Sequence, residues 1–270
     1  MENVKDLIAK RRSVRTYSGK PLQCEDRQKL EESLKDTDNP FGIPVEFKLL
    51  DAKEHDLSSP VIVGCGLYAA AKVKKAPQFE IAYGYSFEKF CLGALSLGLG
   101  TVILAGTLSR KTFEKAMELA GGELMPMATP VGYFSDKKSV RERMMRKAVG
   151  ADERIPFEKL FFENSFDKSL TEGGAGRFKE ALEAVRLAPS AVNKQPWRAV
   201  VCGDTVHFFE KKSKGFENES WDLQKIDIGI ALSHFDLTMK ECGICGNYSV
   251  LTPDIRLENG TEYIISFKAQ

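Results

Sequence analysis

At 270 residues the chain is long enough to bury one large core or two modest ones. Its hydrophobic content of 43% and charged content of 29% are those of an ordinary soluble protein. A formal net charge of +1 excludes a dedicated nucleic-acid binder, which carries a strong basic excess.

The opening stretch, MENVKDLIAKRRS, has no apolar segment of the kind a secretory signal needs, so the protein reads as cytoplasmic. Val4, Leu7 and Ile8 give a first helix one apolar face, and a basic cluster at residues 10–15 closes it. From Glu25 to Leu34 a helix-like run leads through Pro44 into an alternating strand, Val45 to Leu50. Gly64-Cys65-Gly66-Leu67-Tyr68-Ala69 fits the GxGxxA spacing of a dinucleotide fingerprint. The helix expected after it is short and ends near Ala76-Pro77, so that fingerprint is set aside. The next helix, from Tyr83 to Leu97, has apolar residues at 87, 90, 94 and 97. Phe90 to Ser109 contains no charge and has the length of a membrane span. Its glycines at 93, 98, 100 and 106 point instead to a buried helix running into a buried strand.

Strands are expected at Val102 to Leu104, Pro130 to Tyr133, Val206 to Phe209 and Tyr263 to Phe267. In the second half, Arg177 to Ala188 leads through Pro196 into Trp197 to Cys202, repeating the earlier order of helix, proline loop and strand. Another helix begins at Ile228, with apolar or thiol residues at 228, 231, 235, 239 and 242. Gly84 and Gly229, Phe90 and Phe235, and Gly98 and Gly243 correspond at one constant offset. The chain therefore reads as an internal repeat of two pseudo-symmetric α+β lobes, 1–162 and 163–270. The boundary is placed at Asn164-Ser165 and the flexible Glu172-Gly173-Gly174-Ala175-Gly176.

Six scattered cysteines (24, 65, 91, 202, 242 and 245) indicate reduced thiols rather than a disulfide framework. Cys242 and Cys245 form a C-x-x-C with no second ligand pair, and the repeat places them as structural thiols at a buried helix end. His55, His207 and His234 are dispersed and give no triad.

Two segments carry chemistry. Arg11-Arg12-Ser13-Val14-Arg15 packs three guanidinium groups and a hydroxyl into five residues, able to bind a phosphate or ring carbonyls through charge-assisted bonds. Basic residues closing a helix through its dipole are the plain alternative. Far downstream, Pro189-Ser190-Ala191-Val192-Asn193-Lys194-Gln195-Pro196-Trp197 joins a helix to a strand. Ser190 and Asn193 are expected to hold a tight loop whose backbone N–H groups and Asn193 and Gln195 amides face a ligand. A mere connector is the alternative.

The order RRSxR and the string PSAxNxQPW resemble the two signatures of the FMN-dependent nitroreductases, where they lie close together in the first quarter of a subunit. The resemblance implies an α+β, nitroreductase-like fold, each lobe a central, mostly antiparallel sheet with flanking helices, and FMN as cofactor. It assigns Arg11, Ser13 and Arg15 to the flavin phosphate, ribityl chain or ring edge, with Arg12 nearby. It adds Pro189, Ser190, Ala191, Asn193 and Gln195 from the second signature, and the backbone of Leu104, Ala105 and Gly106 along one ring face. Arg154, with Arg146 second, matches a basic segment that helps hold the phosphate. Many members have Glu-Gly where this chain has Ala105-Gly106, so any role of that acid is missing.

Members of that family are homodimers with two flavins, each bound by both subunits. This chain resembles such a dimer fused into one polypeptide, with one flavin site between the lobes kept and the other lost. The stretch matching the second signature in the first lobe, Asp38 to Pro44, lacks its polar groups, and no RRSxR precedes the second lobe. The resemblance implies electron transfer from NAD(P)H to a nitroaromatic, quinone or similar small acceptor. The flavin would carry the chemistry, and no side chain is named as catalytic. No metal, nucleic-acid or membrane partner is expected, and the chain is taken as a monomeric pseudo-dimer or a weak homo-oligomer. The rival is a non-catalytic flavin-binding or sensory protein, or a fold relic without activity, which the eroded second site favours.

Overall fold

A computed structural model describes residues 3–135 and 139–270. In chain order the first elements are α1 (Val4–Lys10), α2 (Cys24–Ser33), β1 (Glu46–Asp51), β2 (Leu67–Lys74), α3 (Phe79–Ser96) and β3 (Gly100–Thr101). Next come α4 (Arg110–Ala116), β4 (Glu123–Leu124), β5 (Ala128–Gly132), α5 (Val140–Ala148) and β6 (Phe161–Glu163). The chain ends with α6 (Lys179–Leu187), β7 (Trp197–Cys202), β8 (Thr205–Lys211), α7 (Leu223–Glu241), β9 (Gly246–Ser249) and β10 (Thr261–Ala269).

These elements form two compact units. The N-terminal unit is Lys10–Phe79 and Ser86–Ala151; the C-terminal unit is Met1–Ala9, Glu80–Tyr85 and Asp152–Gln270. The chain thus passes for the last time into the C-terminal unit at Asp152, and residues 162 and 163 lie inside β6.

The N-terminal unit holds one five-stranded sheet, in the order β1-β2-β5-β3 with β4 beside β2, paired antiparallel throughout. The stretch after Gly66 is the strand β2 rather than the expected short helix. Its Leu67-Tyr68-Ala69-Ala70-Ala71 run is buried in the middle of the sheet, between β1 and β5, and pairing on both sides overrides the helical preference of alanine. The glycines at 64 and 66 therefore open no βαβ unit, and the fingerprint has no structural basis. The strand expected at Val102 to Leu104 is reduced to β3 and a single bridge from Leu104 to Ala128. Leu50, Tyr68, Val102, Leu104, Phe113 and Met125 pack into this unit's core.

The C-terminal unit holds the second sheet, β6-β7-β8-β10-β9, in which only β6 on β7 is parallel. Phe235 of α7 sits between Phe208 of β8 and Phe267 of β10, each pair edge to face at 5.1 Å. Helix α7 is buried on nearly every side, as a helix without a polar face must be.

In the C-terminal unit α7 also meets the first turns of α3, and the contact is reciprocal. A Cβ on Gly84 would stand 2.0 Å from the Ile226 carbonyl oxygen, and one on Gly229 would stand 2.1 Å from that of Ile81. Each helix thus presents its glycine to the residue three positions before the other's glycine, the pattern of a two-fold contact. Only glycine permits backbones to approach so closely.

Candidate functional site

The basic segment belongs to the N-terminal unit and is laid down as extended backbone. Val14 N–H donates to the Thr101 carbonyl (2.9 Å), Val63 N–H to the Arg15 carbonyl (2.9 Å), and the buried Tyr17 hydroxyl to the Val14 carbonyl (3.0 Å). Side chains alternate along such backbone, so burying Val14 leaves Ser13 and Arg15 on the opposite face.

The three arginines meet different surroundings. Arg11 is almost enclosed, its side chain 6% exposed, with Nε 2.7 Å from Oε1 of the fully buried Glu88 on α3. Arg12 is exposed and lies over the Phe134 ring, 5.3 Å from its centroid. Arg15 is half-buried, and its Nε and Nη1 have no hydrogen-bond partner among the described residues. Burial pulls the Arg15 pKa down and Glu142 opposes this, while the charges of Arg146 and Arg11 add to the depression. Arg146 and Arg11 are both near enough for their charges to act on Arg15.

The Glu142 carboxylate does not pair with the Arg15 guanidinium. It accepts from the Arg15 backbone N–H (3.2 Å) and the Thr16 hydroxyl (2.8 Å). Ser139 caps α5 by accepting from Glu142 N–H, a Ser-x-x-Glu start. Leu104 is buried, whereas Ala105 is partly exposed and Gly106 exposed. The Ala105 carbonyl is fixed by the Arg110 guanidinium, which also donates to the Met125 and Pro126 carbonyls.

The second signature lies in the C-terminal unit. Val192, Asn193 and Gln195 all have positive φ, at 43°, 57° and 50°. For a β-branched residue such as Val192 this is a strained conformation, costing on the order of 1–3 kcal/mol, and strain of this kind gathers at ligand loops. Several bonds hold it. Gln195 N–H donates to Ser190 Oγ (2.8 Å), Asn193 N–H to the Ser190 carbonyl (3.1 Å), and Lys194 N–H to the Ala191 carbonyl (3.1 Å). Ala191 N–H reaches both carboxylate oxygens of Asp227 on α7, at 3.1 and 3.0 Å. Asp227 is buried, and burial drives its pKa well above the usual carboxylate range.

The amides of Asn193 and Gln195 do not stand ready for a ligand as expected. Gln195 Nε2 donates to the Asn193 carbonyl (3.2 Å) and its Oε1 accepts from Ile155 N–H (2.9 Å). Asn193 Nδ2 donates to the Glu153 carbonyl (3.0 Å). Those bonds seat Arg154 between the two residues that clasp the loop, so Arg154 and the Pro189–Gln195 stretch come together. The Arg154 guanidinium itself donates to the Glu153 and Leu187 carbonyls. Of the predicted positions, Arg11, Arg12, Ser13, Arg15, Leu104, Ala105, Gly106 and Arg146 thus belong to the N-terminal unit. Arg154, Pro189, Ser190, Ala191, Asn193 and Gln195 belong to the C-terminal unit.

Beneath the second signature lies a group that sequence reading missed. Glu210 on β8 faces Trp197 across the sheet and is wholly buried, and neither carboxylate oxygen has a partner among the described residues. Burial first, and then the Asp222 charge, push its pKa up to about 7.

Cys242 and Cys245 are both exposed, which corrects their expected burial. Helix α7 ends at Glu241, and the turn through Gly243 carries both thiols out onto the surface before β9 begins. His234 is a buried core histidine whose Nδ1 lies 3.0 Å from the Ala184 carbonyl. No described helix is long and apolar enough to cross a membrane, and no cluster of three or more metal-ligating side chains occurs among the described residues.

The family described as "Putative TM nitroreductase" matches residues 3–239. No curated protein matches. Among solved structures, a protein described as a "putative nitroreductase" from Thermotoga maritima is similar over 99% of this chain and 94% of its own, at 19% identity and a TM-score of 0.63. A nitroreductase family protein from Clostridium difficile 630 covers 59% of this chain and 96% of its own, at 17% identity and TM-score 0.45. An "FMN-dependent nitroreductase" from Clostridium difficile R20291 covers 49% and 88%, at 16% identity and TM-score 0.39.

Proposed function

The chain belongs to the putative nitroreductase family whose model spans residues 3–239, and we propose that it is an FMN-dependent oxidoreductase. A bound flavin supplies acceptance of hydride from NAD(P)H and onward transfer to a nitroaromatic, quinone or similar small oxidised acceptor. The protein's work is to bind, orient and polarise that group.

The observation that carries the reading is the basic segment. Arg15 keeps two buried N–H groups unmatched, beside Arg11 and Arg146, where an anion would satisfy them. The donor set fits a phosphorylated, electron-accepting ligand. Ser13 shares the face of Arg15, and the backbone of 104–106 offers the small, glycine-containing surface a planar ring needs. The strained 190–195 loop contributes shape, since its side-chain amides are already bonded.

The chain binds one flavin, as in a dimer fused into one polypeptide with a single site retained. Support comes from the constant offset of the repeat, the matching strand orders and the reciprocal glycine contact. The test is spectroscopic. The purified protein, or the apoprotein after FMN is added, should carry the absorbance of oxidised FMN, and anaerobic NADH or NADPH should bleach it. A flavin that neither nucleotide bleaches leaves a non-catalytic flavin binder; failure to take up FMN leaves a relic of the fold.

A further inference from the structure

The two sheets differ at one edge. In the C-terminal unit the outer side of β7 is covered. Ala199 N–H donates to the Leu160 carbonyl (3.0 Å), the Val201 carbonyl accepts from Asn164 N–H (2.9 Å), and β6 runs parallel to β7. Just upstream, the Glu153 carbonyl accepts from Asn193 Nδ2, Arg154 donates to the Leu187 carbonyl at the end of α6, and Ile155 N–H donates to Gln195. One segment, 153–163, therefore lies along the end of α6, the loop after it and the outer edge of β7.

In the N-terminal unit β1 is the edge strand and pairs only with β2. The bond from Ala52 N–H to the Gly66 carbonyl (2.9 Å) continues their register, and bonded positions alternate along an antiparallel pair. Glu46, Lys48 and Leu50 thus bond to β2, while Phe47 and Leu49 turn their backbone groups outward. Neither of those two N–H groups has a partner among the described residues. Beside this edge the end of α2, the 37–45 loop and the start of β1 form a groove of about 730 Å³. Leu34 and Ile43 give it apolar wall, and Glu31, Asp38 and Glu46 outnumber its one lining cation, Lys35. Arg27, Lys89 and Lys72, which meet those three carboxylates, lie off the lining. Pairs with carboxylates so exposed hold weakly and exchange readily.

We propose that this edge and groove receive a basic, apolar segment of a partner polypeptide, laid parallel to β1 as β6 is laid on β7. Main-chain bonds to Phe47 and Leu49 hold the segment, its apolar side chains rest on Leu34 and Ile43, and its cations meet Glu31 and Glu46. Flavin binding plays no part in this.

The probe is a synthetic peptide of the 153–163 sequence with Lys in place of Glu153, Glu158 and Glu163. Its binding to the full chain is read by titration calorimetry, and its place by amide hydrogen exchange. The peptide should bind with a Kd of about 100 μM or tighter and slow exchange at Phe47 and Leu49 about tenfold or more. No binding at about 1 mM overturns the proposal. Protection at Ala199 and Val201 alone also overturns it, since the peptide would then only displace the internal segment. Methylating backbone nitrogens on one alternate set of residues in the 157–162 stretch should abolish binding, and on the other set leave it within about threefold. Equal effects of the two sets contradict strand addition. Glu31→Lys with Glu46→Lys, both exposed, should weaken the peptide about tenfold. A control peptide with Glu at all five charged positions should bind wild type about tenfold more weakly or worse; equal affinity of the two peptides rules out a basic partner. If the wild type alone protects Phe47 and Leu49 and sediments as a dimer, a second copy covers the edge and the proposal fails.

Discussion

In the N-terminal unit the strands run β1-β2-β5-β3, and in the C-terminal unit the corresponding run is β7-β8-β10-β9. The first strand of each corresponding run, β1 and β7, follows a helix and a proline, Pro44 in one and Pro196 in the other. Where the first sheet approaches β1 through Asp38 to Pro44, the second approaches β7 through the strained loop at 190–195. Glu46 pairs with Lys72 and Arg198 with Phe209, so the next position outward is Val73 in one sheet and Glu210 in the other. Both are buried. One unit places an apolar side chain where the other places a carboxyl that has no partner among the described residues. The shared frame is a matter of packing, and the departures from it collect around one loop, as expected when strain and unpaired polar groups are kept for a ligand.

The largest effect should break the shared frame. Gly84→Ala and Gly229→Ala each drive a methyl into a facing carbonyl, at 2.0 and 2.1 Å. Each should cost roughly 3 kcal/mol or more, read from urea unfolding. If one is tolerated and the other is not, the two helices are not equivalent.

A smaller effect should sharpen the contrast between Val73 and Glu210. The Glu210 pKa rises from an ordinary 4.5 to about 7, so the folded state holds its proton more tightly than the unfolded chain does. Its stability is therefore full below pH 4.5 and is lost as pH rises through 7. The loss is at most about 3 kcal/mol at pH 8, from about 1.4 kcal/mol per pKa unit. Glu210→Gln should match wild type near pH 4.5 and melt higher at pH 8. Parallel melting curves across that range would mean that Glu210 is already ionised or paired in the folded protein.

The smallest expected effect concerns the loop itself. Val192→Gly removes a β-branched side chain from a φ of 43°. Relief of strain should exceed the added chain entropy by only about 1 kcal/mol, giving a slightly higher melting point. A clear loss of stability would mean that the exposed Val192 side chain packs usefully and that the loop is unstrained.

Helices α1, α2, α3, α6 and α7 and strands β1, β5, β7, β8 and β10 were legible because each rests on local periodicity and on glycine and proline placement. The Gly84 and Gly229 match, found as a bare offset, proved to be a backbone contact. Three kinds of feature were not legible. Strand β2 looked helical because its alanines favour a helix, and only pairing with β1 and β5 decides otherwise. The exposure of Cys242 and Cys245 depends on where α7 ends, and element boundaries are weakly encoded. Glu88, Asp227 and Glu210 act through partners distant in sequence, with no motif of their own. The arginines could be recognised from RRSxR, but which of them is already neutralised could not.

We propose that the chain keeps one flavin site. FMN released from protein reconstituted with excess cofactor and freed of unbound flavin, divided by the concentration of the chain, tests it most directly. One FMN per chain is the expected result; two per chain, or none, would contradict a single retained site.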